Sequence, residues 1–158
     1  MTDATFEDGA ERPILVTAVD ADDLGVISAM VQDAVLPITE MRWEAKSRRF
    51  AMLLNRFRWE DREDAEQRGR PYERVQSLLV VEDVTKVASQ GIDRTDSDMV
   101  LSLLSVAFEP GADGTGRLVL TLAGDGAIGL DVECLNVSLR DVTRPYVAPS
   151  GQVPQHGD

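Results

Sequence analysis

The sequence predicts an α+β fold in which one N-terminal helix precedes a mostly antiparallel β-sheet, closed into a small barrel or packed as two sheets. Three observations predict it. Apolar residues recur at helical spacing just after Asp20, and from Thr39 onward the apolar period becomes two. Glycine- and charge-bearing turns of hairpin length then separate one alternating run from the next.

The elements follow in order. Ile14 to Ala18 reads as a short strand. Asp20 opens the helix, because its carboxylate can accept from the unpartnered amides of the first turn. Leu24, Ile27, Val31 and Ala34 share one buried face, and Pro37 lies just past the helix end. Met41, Trp43 and Ala45 alternate with charged residues, and Arg49 to Trp59 returns after a turn at Ser47-Arg48. A two-residue turn pairs Trp43 with Met52 and Ala45 with Phe50, which puts the apolar residues of both strands on one face. The charged run Glu60 to Pro71 has no apolar stripe and reads as an exposed, mobile loop.

Tyr72 to Asp83 and Met99 to Glu109 read as strands, with Val84 to Ile92 continuing the first past a bend. Leu118–Leu122 and Ile128–Val132 form a hairpin about Gly124-Asp-Gly126. Cys134 to Val142 fits a strand or a helix. Six or seven such strands close into a barrel or pack as two sheets, and strand count alone makes a pleckstrin-homology-like barrel a reasonable expectation.

A chain of 158 residues fits one domain and can bury roughly 70% of its unfolded surface, so it needs no covalent staple. The expected division is a disordered acidic leader over 1–12, a single α+β domain over 13–146 and an extended proline-containing tail over 147–158. The leader lacks the basic start and apolar run of a signal peptide, and no apolar stretch approaches a membrane span. The single cysteine, Cys134, cannot form an internal disulfide, which excludes a secreted disulfide scaffold. The expected compartment is the cytoplasm. A net charge of −12 repels phosphate backbones, so nucleic acid is not an expected partner, and with no apolar stretch of spanning length neither is a membrane.

No catalytic residue, cofactor or metal is expected from the residues. The one histidine, His156, lies two residues before Asp158 in the expected tail, so it is not positioned for catalysis or metal binding. Cys134 reads as a small buried hydrophobe rather than a nucleophile, with Arg140 the nearby cation in sequence. Asp93, Asp96 and Asp98 lack the central glycine and closing glutamate of a calcium loop and read as a turn. Gly111, Gly114 and Gly116 join two strands, so they read as a hairpin loop rather than a phosphate cradle.

One segment stands apart. Ten of the sixteen basic residues fall between Arg42 and Arg74, and Arg42 to Arg58 holds six basic residues against Glu44 alone. Trp43, Phe50, Phe57 and Trp59 are interleaved with them. Arg42, Arg48, Arg49, Arg56 and Arg58 could therefore form a docking surface for an acidic protein or a small anion. Against that, alternation places Trp43 and Phe50 on the core face, and the arginines can pair with the acids at 60–66. The leading expectation is a non-enzymatic interaction or accessory module. The alternative is a small-molecule-binding protein or an enzyme using Asp/Glu and Arg groups in a β-barrel pocket.

Several stretches carry a resemblance. They are Val19-Asp-Ala-Asp-Asp-Leu24, Met30-Val-Gln-Asp-Ala-Val35, the run from Arg48-Arg-Phe-Ala-Met to Phe57-Arg-Trp-Glu60, Ser89-Gln-Gly-Ile-Asp93, Phe108-Glu-Pro-Gly111 and Gly126-Ala-Ile with Val132-Glu-Cys134. In this order, from about Ile14 to Tyr146, they resemble a small bacterial family, domain of unknown function 2948. The resemblance implies a stand-alone protein of the bacterial cytoplasm and supplies no activity, cofactor or site residue. Its most specific stretch, 48–60, coincides with the basic, aromatic hairpin.

Overall fold

The computed structural model describes residues 13–148 and 152–154. Strand β1 (Leu15–Ala18) leads into helix α1 (Ala21–Met30), and β2 (Ala34–Pro37), β3 (Met41–Glu44) and β4 (Arg49–Phe57) follow. Helix α2 (Arg62–Arg68) precedes β5 (Glu73–Val81), β6 (Val84–Gln90), β7 (Val100–Pro110), β8 (Gly116–Leu122), β9 (Gly126–Val132), β10 (Val137–Asp141) and β11 (Tyr146–Val147).

All strands belong to one antiparallel sheet with the order β1-β10-β5-β4-β2-β7-β8-β9-β6, and β3 and β11 pair onto β4 and β5. The expected barrel, including the pleckstrin-homology-like one, and the expected pair of packed sheets are both overturned. The path ends on β1 at one side and β6 at the other, and these two strands do not pair. The physical reason lies in α1. It packs against β1 and β7, which stand far apart in the sheet, and buries Leu24 and Ile27 in the single core cluster. Its Ser28 hydroxyl accepts the Val106 amide at 2.9 Å. The helix thus occupies the inner face and satisfies backbone that another strand would otherwise have to meet.

The start of α1 is as expected: Asp20 accepts the Asp23 amide at 2.8 Å. Its end differs. The Val31 amide closes the last turn on Ile27, Asp33 takes φ 61, and residues 34–37 become a strand between β4 and β7. Ala34 is buried as expected, but from the sheet. The segment expected to be a charged loop over 60–71 holds a second helix. Ion pairs at helical spacing, Arg62 with Glu66 and Asp64 with Arg68, support it, and Gly69 at φ 65 closes it.

The β3–β4 hairpin pairs Trp43 with Phe50 and Met41 with Met52, two residues away from the expected register. Arg48 at φ 54 returns its amide to Ala45, so the loop spans four residues instead of two. A shift of two preserves which side chains share a face. In β7 the apolar character of both faces has a specific cause. The pairing slips between Leu103 and Ser105, so the buried positions pass from Leu101 and Leu103 to Val106. Cys134 to Val142 resolves as a strand over 137–141. The leader 1–12 lies outside the described residues, as do 149–151 and 155–158 of the tail, including His156.

Candidate functional site

Along β4, Phe50, Met52, Leu54 and Arg56 all point inward and are buried. Arg56 is therefore a cation at a core position, with no exposed surface. A buried charge persists only when its partners are arranged around it. Glu60, in the turn after β4, takes both terminal nitrogens of the guanidinium at 2.8 and 2.9 Å. Asp141 on β10 accepts from Nη2 at 2.9 Å, and Ser77 on β5 accepts from Nε at 2.9 Å. Ser77 donates in turn to Asp141 at 2.7 Å, and the other Asp141 oxygen accepts the Ile14 amide at 3.2 Å.

Burial alone would lower the Arg56 pKa, but Glu60 and Asp141 outweigh it and leave the group above its usual value. For Glu60, burial raises the pKa and the Arg56 guanidinium outweighs that, holding the carboxyl below its usual range. Arg58 extends the cluster, contacting Glu73 at 2.5 Å and Asp61 at 3.6 Å. This array is a fixed pairing of opposite charges that joins β4, β5, β10 and the turn at 59–61. Two carboxylates, a serine hydroxyl and an arginine meet here, and each satisfies another.

The five arginines expected to form a docking surface are not brought together. Arg56 and Arg58 are buried in the network. Arg48 is exposed and pairs with Glu133, and Arg49 pairs with Glu82 at 2.8 Å. Arg42 is exposed on β3 and has no ion-pair partner among the described residues. It sits opposite Ala51, on the outward face of the sheet. On that face Ala51, Leu53, Leu78 and Val80 are half-buried and stand outside the core cluster. Pairing places Leu53 opposite Leu78, and Leu78 opposite Arg140, a second exposed arginine without an ion pair among the described residues. Asn55, on the same face, donates to the Tyr146 hydroxyl at 2.7 Å and accepts from Arg74 at 2.6 Å.

A family model described as "Protein of unknown function (DUF2948)" matches residues 14–156. The chain belongs to this family. No curated protein and no solved structure gives a significant match. Within the family chain, the run 48–60 supplies both the hairpin's return strand and three members of the buried network, Arg56, Arg58 and Glu60.

Other expected features find plain places. Cys134 is exposed, against the expected burial, because it lies in the turn before β10. Its thiol donates to Asp83 at 3.2 Å, and that carboxylate, aided by burial, pushes its pKa up. Asp93 accepts the Thr95 amide and Asp96 accepts the Asp98 amide, which makes the acidic run a pair of side-chain-closed turns. The loop with Gly111, Gly114 and Gly116 is the β7–β8 hairpin, where a Cβ at Gly116 would lie 2.5 Å from the Phe108 ring. Among the described residues, no helix is long and apolar enough to cross a membrane.

Asp141 and Ser77 were not singled out by sequence, whereas Glu60 belongs to the acidic run 60–66 that was expected to pair with the arginines, and it pairs with Arg56 and Arg58. Asp141 and Ser77 come from strands distant in sequence, so nothing local names them as partners of Arg56. A pocket of about 350 Å³ between β3, β4, β6 and β9 was likewise not expected.

Proposed function

We propose that this protein is a non-enzymatic interaction module of the bacterial cytoplasm that docks an acidic partner protein on the outward face of its sheet. The observation that carries the proposal is the row of half-buried Ala51, Leu53, Leu78 and Val80 bounded by Arg42 and Arg140. Apolar side chains there offer area, and two arginines without ion pairs among the described residues offer directional contacts on a chain of net charge −12. An acidic amphipathic segment complements both. The groups best suited to acid–base work support the non-catalytic half of the reading, since Arg56, Glu60, Asp141 and Ser77 bond to one another in the interior. The free, exposed thiol of Cys134 suits a reducing compartment. The alternative of a carboxylate and arginine site in a barrel interior loses its frame, because the sheet is open.

The test uses Arg42→Glu with Arg140→Glu, both at exposed positions. A partner captured from the native host is identified, purified and titrated against the wild-type and the double variant. Hydrogen exchange then maps the interface. The expected result is at least a tenfold loss of affinity, binding weakened by salt, and protection of β4 and β5. Unchanged affinity in the double variant, or protection elsewhere, overturns the proposal. Glutamate at Arg56 or Arg58 is unsuitable, because it would place a like charge inside the network and report on folding instead.

A further inference from the structure

The pocket of about 350 Å³ lies on the opposite side of the hairpin from the docking face. Met41, Trp43, Phe50, Val87, Ile92 and Ile128 make its apolar wall. Phe50 and Ile128 belong to β4 and β9, four strands apart in the sheet order, so the curvature of the sheet creates the cavity. Trp43 closes one side and keeps 37% of its surface exposed, a large aromatic left uncovered at a concave site. The polar lining is sparse: the hydroxyls of Thr39, Ser89 and Ser97, and one cation, Arg94. Among the described residues, no carboxylate lines the pocket.

Arg94 differs from most arginines of this chain. It makes a long hydrogen bond from Nη2 to the Ser89 hydroxyl at 3.4 Å and has no ion pair among the described residues. The segment carrying it is fixed at both sides. Gly91 adopts φ 71, where a Cβ would lie 3.0 Å from the Asp125 carbonyl, and Asp93 accepts both the Thr95 amide and hydroxyl. An apolar cavity with one cation and a few hydroxyls at its edge is the usual form of a site for a small amphipathic anion. We propose that this pocket binds a small molecule with an apolar body and a single carboxylate. The body lies against Trp43, Phe50 and Ile128, and the carboxylate receives the Arg94 fork together with the hydroxyls of Ser89 and Ser97. This site is separate from the docking face and does not depend on it.

Decanoate, decanol and decyltrimethylammonium are titrated by calorimetry into the full chain. Trp43 fluorescence is followed in Trp59→Phe, since the chain has two tryptophans. Decanoate is expected to bind once per chain and shift Trp43 emission to the blue, with decanol about tenfold weaker and the cation not bound. Arg94→Gln is expected to weaken decanoate about tenfold while leaving decanol unchanged. Ser89→Trp, at an exposed position, fills the cavity and removes both. The absence of saturable decanoate binding overturns the proposal. So does an Arg94→Gln variant that binds decanoate as the wild type does, equal binding of the cation, or retained binding in a folded Ser89→Trp variant.

Discussion

Arg56 and Asp141 lie 85 residues apart in the chain and meet at 2.9 Å on the buried face of the sheet. Asp141 stands opposite Ser77, and Ser77 lies opposite Leu54, one inward position before Arg56. One contact therefore ties the return strand of the hairpin, the central strand β5 and the late strand β10 into a single registered unit.

Removing the Arg56 charge leaves Asp141 buried without this cation and Glu60 with the longer contact to Arg58 at 3.8 Å. Arg56→Met is expected to destabilise the fold by about 3–5 kcal/mol, the range for breaking a buried ion pair from one side. Arg48→Met removes an exposed pair with Glu133 and is expected to cost about 0–1 kcal/mol. Urea unfolding of the two variants measures the difference. Similar costs would show that the buried network does not hold the strands together.

The pH dependence follows from Glu60. Its pKa in the folded state lies below the ordinary 4.5, because Arg56 outweighs the effect of burial. The unfolded chain then binds the proton more readily than the folded one. The stabilisation is full above pH 4.5 and is lost as pH falls through the lower folded value. Glu60→Gln lacks this contribution, so its stability should trail the wild type at pH 7 and converge with it as pH falls below 4.5 and through the lower folded value. Urea midpoints across that range test this. A gap that stays constant with pH contradicts it.

Cys134 is exposed, yet the hydrogen bond to Asp83 and the weak burial raise its pKa. Alkylation by iodoacetamide at pH 8 should be slower than for a free cysteine thiol, because less thiolate is present. Asp83→Asn removes the negative neighbour and keeps a residue that tolerates the φ of 58 found there. That variant should react faster. An unchanged rate would show that access, rather than charge, limits the thiol.

Much of the secondary structure was legible locally. The cap at Asp20, the apolar face of α1 and the hairpins about Gly111–Gly116 and Gly124–Gly126 depend on neighbours in sequence, and the structure contains them. The hairpin of β3 and β4 was legible too, but not its register, because a four-residue loop and a two-residue turn give the same face pattern. Helix α2 escaped notice because it buries only Ala65 and is supported by charge pairs instead of an apolar stripe.

What the sequence determined by itself was the alternating, antiparallel character of the chain, the place of α1 and the concentration of arginines between 42 and 74. These rest on spacing and composition. Tertiary structure alone decided that the sheet stays open, that β2 follows α1, and that Arg56 and Arg58 turn inward while Arg42 stays outside. It also decided the Arg94 pocket, whose walls come from four strands. The reason is physical. A guanidinium has the same sequence signature on a solvated edge and in a buried pair, and only partners brought from distant strands separate the two.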